Sequence, residues 1–233
     1  MSKEGPKSAE RFRGKEGVAI EDEVRVLVPD QDKLTKDIED LGGALVFKGT
    51  IYDEFFDFRE GPTIREMLGG WVRIRTLKHE SGKINYEVTF KAEETFNESG
   101  GTDRLEANSM IFNTYEEAYT ALIETLKSLN IATDSLFVER SSEKERTSLE
   151  LGEVHIDIDE YKYREIAGEQ REDLSFLPVF AEFEVRHDPN SGEETRQLLR
   201  RQRDTLIQKL GLEVGPEPIQ GDLNNMIDFY KKN

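Results

Sequence analysis

The sequence predicts an α+β fold built on a mostly antiparallel sheet, closed into an eight-stranded barrel with helices packed outside. Eight stretches alternate apolar and polar residues with a period of two, as pleated strands do. They are not regularly separated by helices, so a doubly wound parallel sheet is unsuitable. Their polar faces carry like-signed i, i+2 pairs: Glu21/Glu23, Arg73/Arg75, Lys144/Arg146, Asp157/Asp159 and Glu182/Glu184. Ordinary surfaces intersperse their signs. Closing the sheet would gather these faces in one lumen and turn the apolar faces outward, under the helices.

Residues 1–17 read as a flexible tail, and residues 18–233 as a single domain. From Val18, Ile20, Asp22, Val24, Val26 and Val28 share one face, with Glu21, Glu23 and Arg25 on the other. A helix over Gln31–Leu41 stripes Leu34, Ile38 and Leu41 and closes at Gly42-Gly43. A less regular strand covers Leu45–Phe58, and residues 60–70 read as an inserted loop with one helical turn. Two strands follow: Trp71–Leu77, with Arg73 and Arg75 opposite Val72 and Ile74, and Lys83–Ala92, with Lys91 on its polar face. After a loop at 95–101, Thr102–Met110 sets Arg104 and Glu106 opposite Leu105 and Ala107. Thr114-x-x-Glu117 is a capping box for a helix reaching about Leu129.

Phe137–Glu150 aligns Lys144, Arg146 and Ser148, Glu153–Tyr161 aligns His155, Asp157 and Asp159, and Val179–Arg186 aligns Glu182, Glu184 and Arg186. Residues 164–178 read as a second insertion. A long helix begins near Ser191, taken as its N-cap with Glu194 at N3, and ends near Leu210. Its Arg200-Arg201-x-Arg203 cluster reads as a solvated face. Asp222–Lys231 forms a last short helix.

Composition removes whole classes of chemistry. Among 233 residues there is no cysteine, which excludes disulfides, thiolate metal sites and cysteine nucleophiles. No apolar run approaches the roughly 18 residues of a membrane helix. The N-terminal segment lacks the apolar centre of a secretory signal. A net charge of −17 argues against nucleic-acid binding. His79, His155 and His187 form no zinc spacing, Ser148 lacks a nucleophile-elbow context, and the glycine pairs match no phosphate loop. The charge balance suits an acidic, soluble protein, with the cytoplasm as the expected location.

The lumen chemistry is specific. Arg25, Arg73, Arg75, Lys91, Arg104, Lys144 and Arg146 bring too much positive charge for an empty cavity, because unpaired buried cations are costly. A triphosphate chain would suit them, since guanidinium forks bind phosphate bidentately. Glu21, Glu23, Asp157, Asp159, Glu182 and Glu184 are hard oxygen ligands of the kind that hold Mg²⁺ or Mn²⁺ beside substrate phosphates.

Several elements in order resemble a known group. Glu21-x-Glu23-x-Arg25 is similar to the ExExK signature of the CYTH domain, or triphosphate tunnel metalloenzymes, with arginine in the lysine's place. Asp53-Glu-Phe-Phe-Asp57, Arg73-Ile-Arg75, Thr89-Phe-Lys91, Arg104-Leu-Glu106, Lys144-Glu-Arg146, Asp157-Ile-Asp159 and Phe180-Ala-Glu182-Phe-Glu184 follow. The resemblance spans about residues 18–230. It implies a closed eight-stranded tunnel that binds a triphosphate and a divalent metal, with Glu21, Glu23 and Arg25 as catalytic residues. It further implies metal ligation by Glu21, Glu23, Glu182 and Glu184, with Asp157 or Asp159 nearby. Phosphate would be gripped by Arg25, Arg73, Arg75, Lys91, Arg104 and Arg146, with Glu106 in support.

Three activities follow from it. One is hydrolysis of inorganic, nucleoside or thiamine triphosphate. Another is a class IV adenylyl cyclase releasing pyrophosphate from ATP. The third is non-catalytic nucleotide or polyphosphate binding. The expected partner is thus a small triphosphate compound, with no membrane; a homodimer is carried as an open alternative.

Overall fold

The computed structural model describes residues 18–92, 95–96, 102–216, 220 and 223–232, with side chains described at 19–91, 110–216, 220 and 223–232. The expected tail at 1–17 and most of the 95–101 loop lie outside the described residues, as does Asp222.

The alternating stretches are strands: β1 (Val18–Leu27), β2 (Ala44–Phe58), β3 (Gly70–His79), β4 (Ile84–Ala92), β6 (Thr102–Phe112), β7 (Leu136–Leu151), β8 (Val154–Ile166) and β10 (Phe180–His187). Two short strands, β5 (Thr95–Phe96) and β9 (Glu172–Asp173), pair with β6 and β8. The eight long strands make one antiparallel sheet in the order β1-β10-β8-β7-β2-β3-β4-β6, curled around a charged concave face. β1 pairs with β10 on one side and, through Val18–Glu23, with β6 on the other.

The helices are α1 (Gln31–Asp40), α2 (Ile64–Leu68), α3 (Tyr115–Ser128), α4 (Glu193–Lys209) and α5 (Leu223–Lys232). Asp30 caps α1, accepting a 2.9 Å bond from the Lys33 amide. At its far end a Cβ on Gly43 would lie 2.5 Å from Ile38 Cγ2, so only glycine passes there. The Thr114–Glu117 capping box opens α3 as its spacing predicts.

α4 corrects two expectations. Its N-cap is Gly192 rather than Ser191, and no side chain caps it, so Glu194 falls at the second helical position. Its arginine cluster is not a solvated face, because Arg203 is fully buried. The supposed insertion at 164–178 is also shorter than expected, since β8 runs to Ile166 and β9 doubles back on it.

The apolar faces lie outward, beneath the helices. Under α1 and α4, Val24, Val26, Ile156, Ile158, Phe183 and Leu206 form one cluster; under α2 and α3, Val72, Ile74, Val88, Leu122 and Leu126 form another. Each such side chain stabilises the fold by about 1.5–3 kcal/mol. α5 behaves differently. Met226 and Ile227 pack with Tyr161 and Phe180, and Leu223 and Asn224 line the cavity that the concave face encloses.

Candidate functional site: a cavity divided between acids and bases

Strand alternation places the site. On β1, residues 21, 23 and 25 face the cavity while 24 and 26 enter the outer core. The same alternation turns Asp53, Arg73, Arg75, Lys91, Lys144, Arg146, Asp157, Glu182 and Glu184 into one cavity from β2, β3, β4, β7, β8 and β10. Asp159 joins them through its bonds to Lys144 and Arg146. Arg104 and Glu106 lie on β6, opposite Glu21 and Lys91 in register, but their side chains are outside the described residues.

One end is acidic. Glu21, Glu23 and Glu184 each offer a carboxylate oxygen, all within 4.8 Å of one another and all buried. Burial and the neighbouring Glu21 push the Glu184 carboxyl up to about 8. Lys91 donates to Glu21 at 2.6 Å. Arg186, more than half exposed, donates to Glu21 at 2.8 Å and also pairs with Glu184.

The middle is basic, and its acids serve its cations. Arg75 holds Asp53 bidentately at 2.7 and 2.9 Å. Burial alone would raise the Asp53 carboxyl, but Arg75 and Arg73 outweigh it and hold that group well below the usual carboxylate range. Arg146 bonds Asp159 at 2.6 Å, pairs with Asp157, and reaches Glu182 at 3.4 Å. Lys144 donates to Asp159 at 2.6 Å, and Arg25 Nε to Glu182 at 2.7 Å. Burial and then Arg146 lower the Lys144 ammonium. Glu182 is held low by Arg25, Lys144 and Arg146 against its burial. Arg73 differs from these. It stands 3.6 Å from Asp53, and its buried Nε has no hydrogen-bond partner among the described residues.

Of the six carboxylates proposed for metal from sequence, the structure gathers Glu21, Glu23 and Glu184; all six meet cations, Glu23 through Arg25 Nη2 at 3.3 Å. His155 and Ser148 both meet Asp157, at 3.0 Å for the histidine.

Sequence reasoning missed several lining groups. Arg140 shares its period with Lys144 and Arg146, and Arg186 with Glu182 and Glu184, and that parity was the available signal. Asp53 lies on β2, where no residue had been chosen, and Arg164 lies beyond a register shift that reverses the parity of Asp157 and Asp159. Gln220 gave no signal: its buried amide accepts from Arg25 N at 2.7 Å and donates to Arg25 O at 2.8 Å. At the end nearest α5, Arg140 stacks on Phe55 at 4.5 Å, close to Trp71 and Ile166 in the lining.

The CYTH domain model matches residues 19–210 of this sequence. The chain belongs to the CYTH domain family. Curated proteins provide no match. Several solved structures share the fold. A candidate adenylate cyclase from Vibrio parahaemolyticus is 17% identical with a TM-score of 0.51, over 83% of this chain and 90% of that one. A protein from Pyrococcus horikoshii is 16% identical at TM-score 0.57, covering 91% and 99%. A candidate adenylyl cyclase from Hippeastrum, described as revealing a dominant triphosphatase activity, is 15% identical at 0.54, covering 84% and 90%. At these identities the likeness to this CYTH chain is one of fold. None of its described helices is long and apolar enough to cross a membrane.

Proposed function

We propose that this CYTH chain is a metal-dependent triphosphatase that hydrolyses a phosphoanhydride bond of inorganic triphosphate or of a nucleoside or thiamine triphosphate. The division of one buried cavity into a three-carboxylate end and a basic middle carries this reading. Glu21, Glu23 and Glu184 are a hard-oxygen donor set fitted to Mg²⁺ or Mn²⁺, and burial, with Glu21 beside it, raises the Glu184 carboxyl, which a cation would offset. A divalent ion held there would supply Lewis-acid charge at the phosphoryl oxygens and lower the pKa of a bound water.

The chain's own groups do the rest. Arg73, with its buried unpartnered Nε, and Arg75, Lys91, Lys144, Arg146 and Arg25 line the path of the phosphate chain. They stabilise charge on oxygens as the anhydride breaks, and Arg104 joins them from β6. Asp53, Asp157, Asp159 and Glu182 orient these cations beforehand, so little reorganisation is needed when phosphate arrives. The pairing of β1 with both β10 and β6 supports a tunnel closed on itself, with Glu106 next to Lys91 in support.

The test is product analysis with inorganic triphosphate and with ATP, each with Mg²⁺ and Mn²⁺. Orthophosphate from inorganic triphosphate is expected. Cyclic AMP and pyrophosphate from ATP, with inorganic triphosphate untouched, would replace the reading by a cyclase. A metal-dependent melting shift with tripolyphosphate but no turnover would replace it by a binder.

A further inference from the structure

Asp22 lies between the two β1 glutamates of the acidic end but points the other way, into the apolar layer beneath α4. Its side chain is fully buried, and so is that of Arg203. Arg203 occupies a place on α4 that periodicity assigns to a hydrophobe, in the stripe Leu199, Arg203, Leu206, Ile207, Leu210. Its Nη1 donates to the Asp22 carboxylate and, at 3.2 Å, to the Asp22 backbone carbonyl. Arg200, one turn earlier, holds the other oxygen of the same carboxylate. The arginines approach from the side of β1 opposite to the cavity.

Stability alone is a poor reason for this arrangement. A buried ion pair usually contributes no more than packed hydrophobes of the same volume, and Val24 and Val26 show that this face of β1 accepts them. What the pair does supply is a fixed point. One guanidinium nitrogen, Nη1, that bonds both the side chain and the main-chain oxygen of residue 22 restrains β1 against sliding or rolling. Glu21 and Glu23 flank that residue, and they must stay close to each other and to Glu184 against their mutual repulsion.

We propose that Arg203 and Asp22 form a positioning pair, in which α4 holds β1 from behind so that Glu21 and Glu23 remain converged on the cation-binding position with Glu184. The proposal rests on the metal assignment made above. Groups of this kind, one shell away from a ligand, typically govern metal affinity by about 10–100-fold.

The experiment measures Mn²⁺ binding to the purified full chain by calorimetry, beside the melting temperature without metal. In the double variant Asp22→Val with Arg203→Met, apolar partners replace both charges, so the fold is expected to persist with an equal or higher melting temperature. Its Mn²⁺ affinity is expected to fall about 10–100-fold, whereas tripolyphosphate binding without metal should change far less, since Arg73, Arg75 and Lys144 sit on β3 and β7. A merely structural pair would give the opposite pattern, and wild-type Mn²⁺ affinity in a folded double variant overturns the proposal. Should that variant not fold, Arg203→Lys keeps the buried charge, but its ammonium ends one bond short of the Nη1 position that meets both oxygens of residue 22. A several-fold weaker Mn²⁺ affinity is expected of it, and unchanged affinity overturns the proposal equally. Failure of the wild type to bind Mn²⁺ would instead remove the metal assignment itself.

Discussion

The two halves of the cavity treat buried charge in opposite ways. In the basic middle, Asp53, Asp157, Asp159 and Glu182 each sit against a guanidinium or an ammonium within ordinary bonding distance, and the wall is a network of satisfied pairs. At the acidic end three carboxylates lie within 4.8 Å of one another, and burial and then Glu21 push the Glu184 carboxyl up to about 8. A satisfied network contributes to folding as it stands. A crowd of like charges opposes folding, and here Lys91, Arg186 and Arg25 offset it only in part, at Glu21, Glu184 and Glu23. The comparison separates carboxylates that each serve a cation of the basic wall from carboxylates gathered beside one another, a distinction that residue type alone conceals.

Replacing Arg146 by Met should break the contrast most severely. Asp157 would lose its guanidinium in a buried setting, and stability should fall by about 3–5 kcal/mol, read from denaturant unfolding without metal. Glu23→Gln attacks the other half. Activity is expected to drop more than ~100-fold, beyond what loss of a group that only orients a metal ligand usually produces, while the metal-free melting temperature holds or rises as repulsion eases. A sharp fall in melting temperature with activity intact would make Glu23 a structural residue.

Arg73→Ala sharpens the comparison within the basic half, because Arg73 is its least engaged cation. Tripolyphosphate binding should weaken by about 1.5–3 kcal/mol with little loss of stability, and an unchanged dissociation constant would remove Arg73 from the phosphate path. The mildest effect near neutrality is that of acid. The native Asp53 carboxyl is depressed, so its contribution is complete above the unfolded value of about 3.9 and fades as pH falls below it. The acid limb of a stability–pH curve should therefore be shallower in Asp53→Asn than in the wild type.

Much of this was legible from parity. Along β1 and β3 the alternation separates Glu21, Glu23, Arg73 and Arg75 from Val24, Val72 and Ile74 without ambiguity, because a one-residue slip would bury charge in the outer core. Parity also contained Arg140 and Arg186, which a search for like-signed pairs passed over. What period two cannot express is a partner chosen across the fold. Asp22 read as a polar interruption of an apolar face and Arg203 as a surface charge, because 181 residues separate them and each looks misplaced alone. The same blindness hid the division of the carboxylates. Asp157 and Glu184 are identical in pattern, and only register, which sets Asp157 beside Glu182 and near Arg146 but Glu184 beside Glu23, tells them apart. The cap of α4 was misplaced by one residue because the carbonyl of Gly192, not that of Ser191, accepts the first helical bonds, from Thr195 N at 3.1 Å and Arg196 N at 3.2 Å.

Arg186 has a consequence of its own. Its guanidinium spans Glu21 and Glu184 from a stem that is more than half in solvent, so it stands as a tethered stand-in for a free cation. A flexible side chain of that kind can swing outward on the nanosecond scale, without any strand parting from its neighbour. Loading the acidic end then becomes an exchange of one positive charge for another at the rim, and the bare, mutually repelling carboxylates never need to exist as an intermediate.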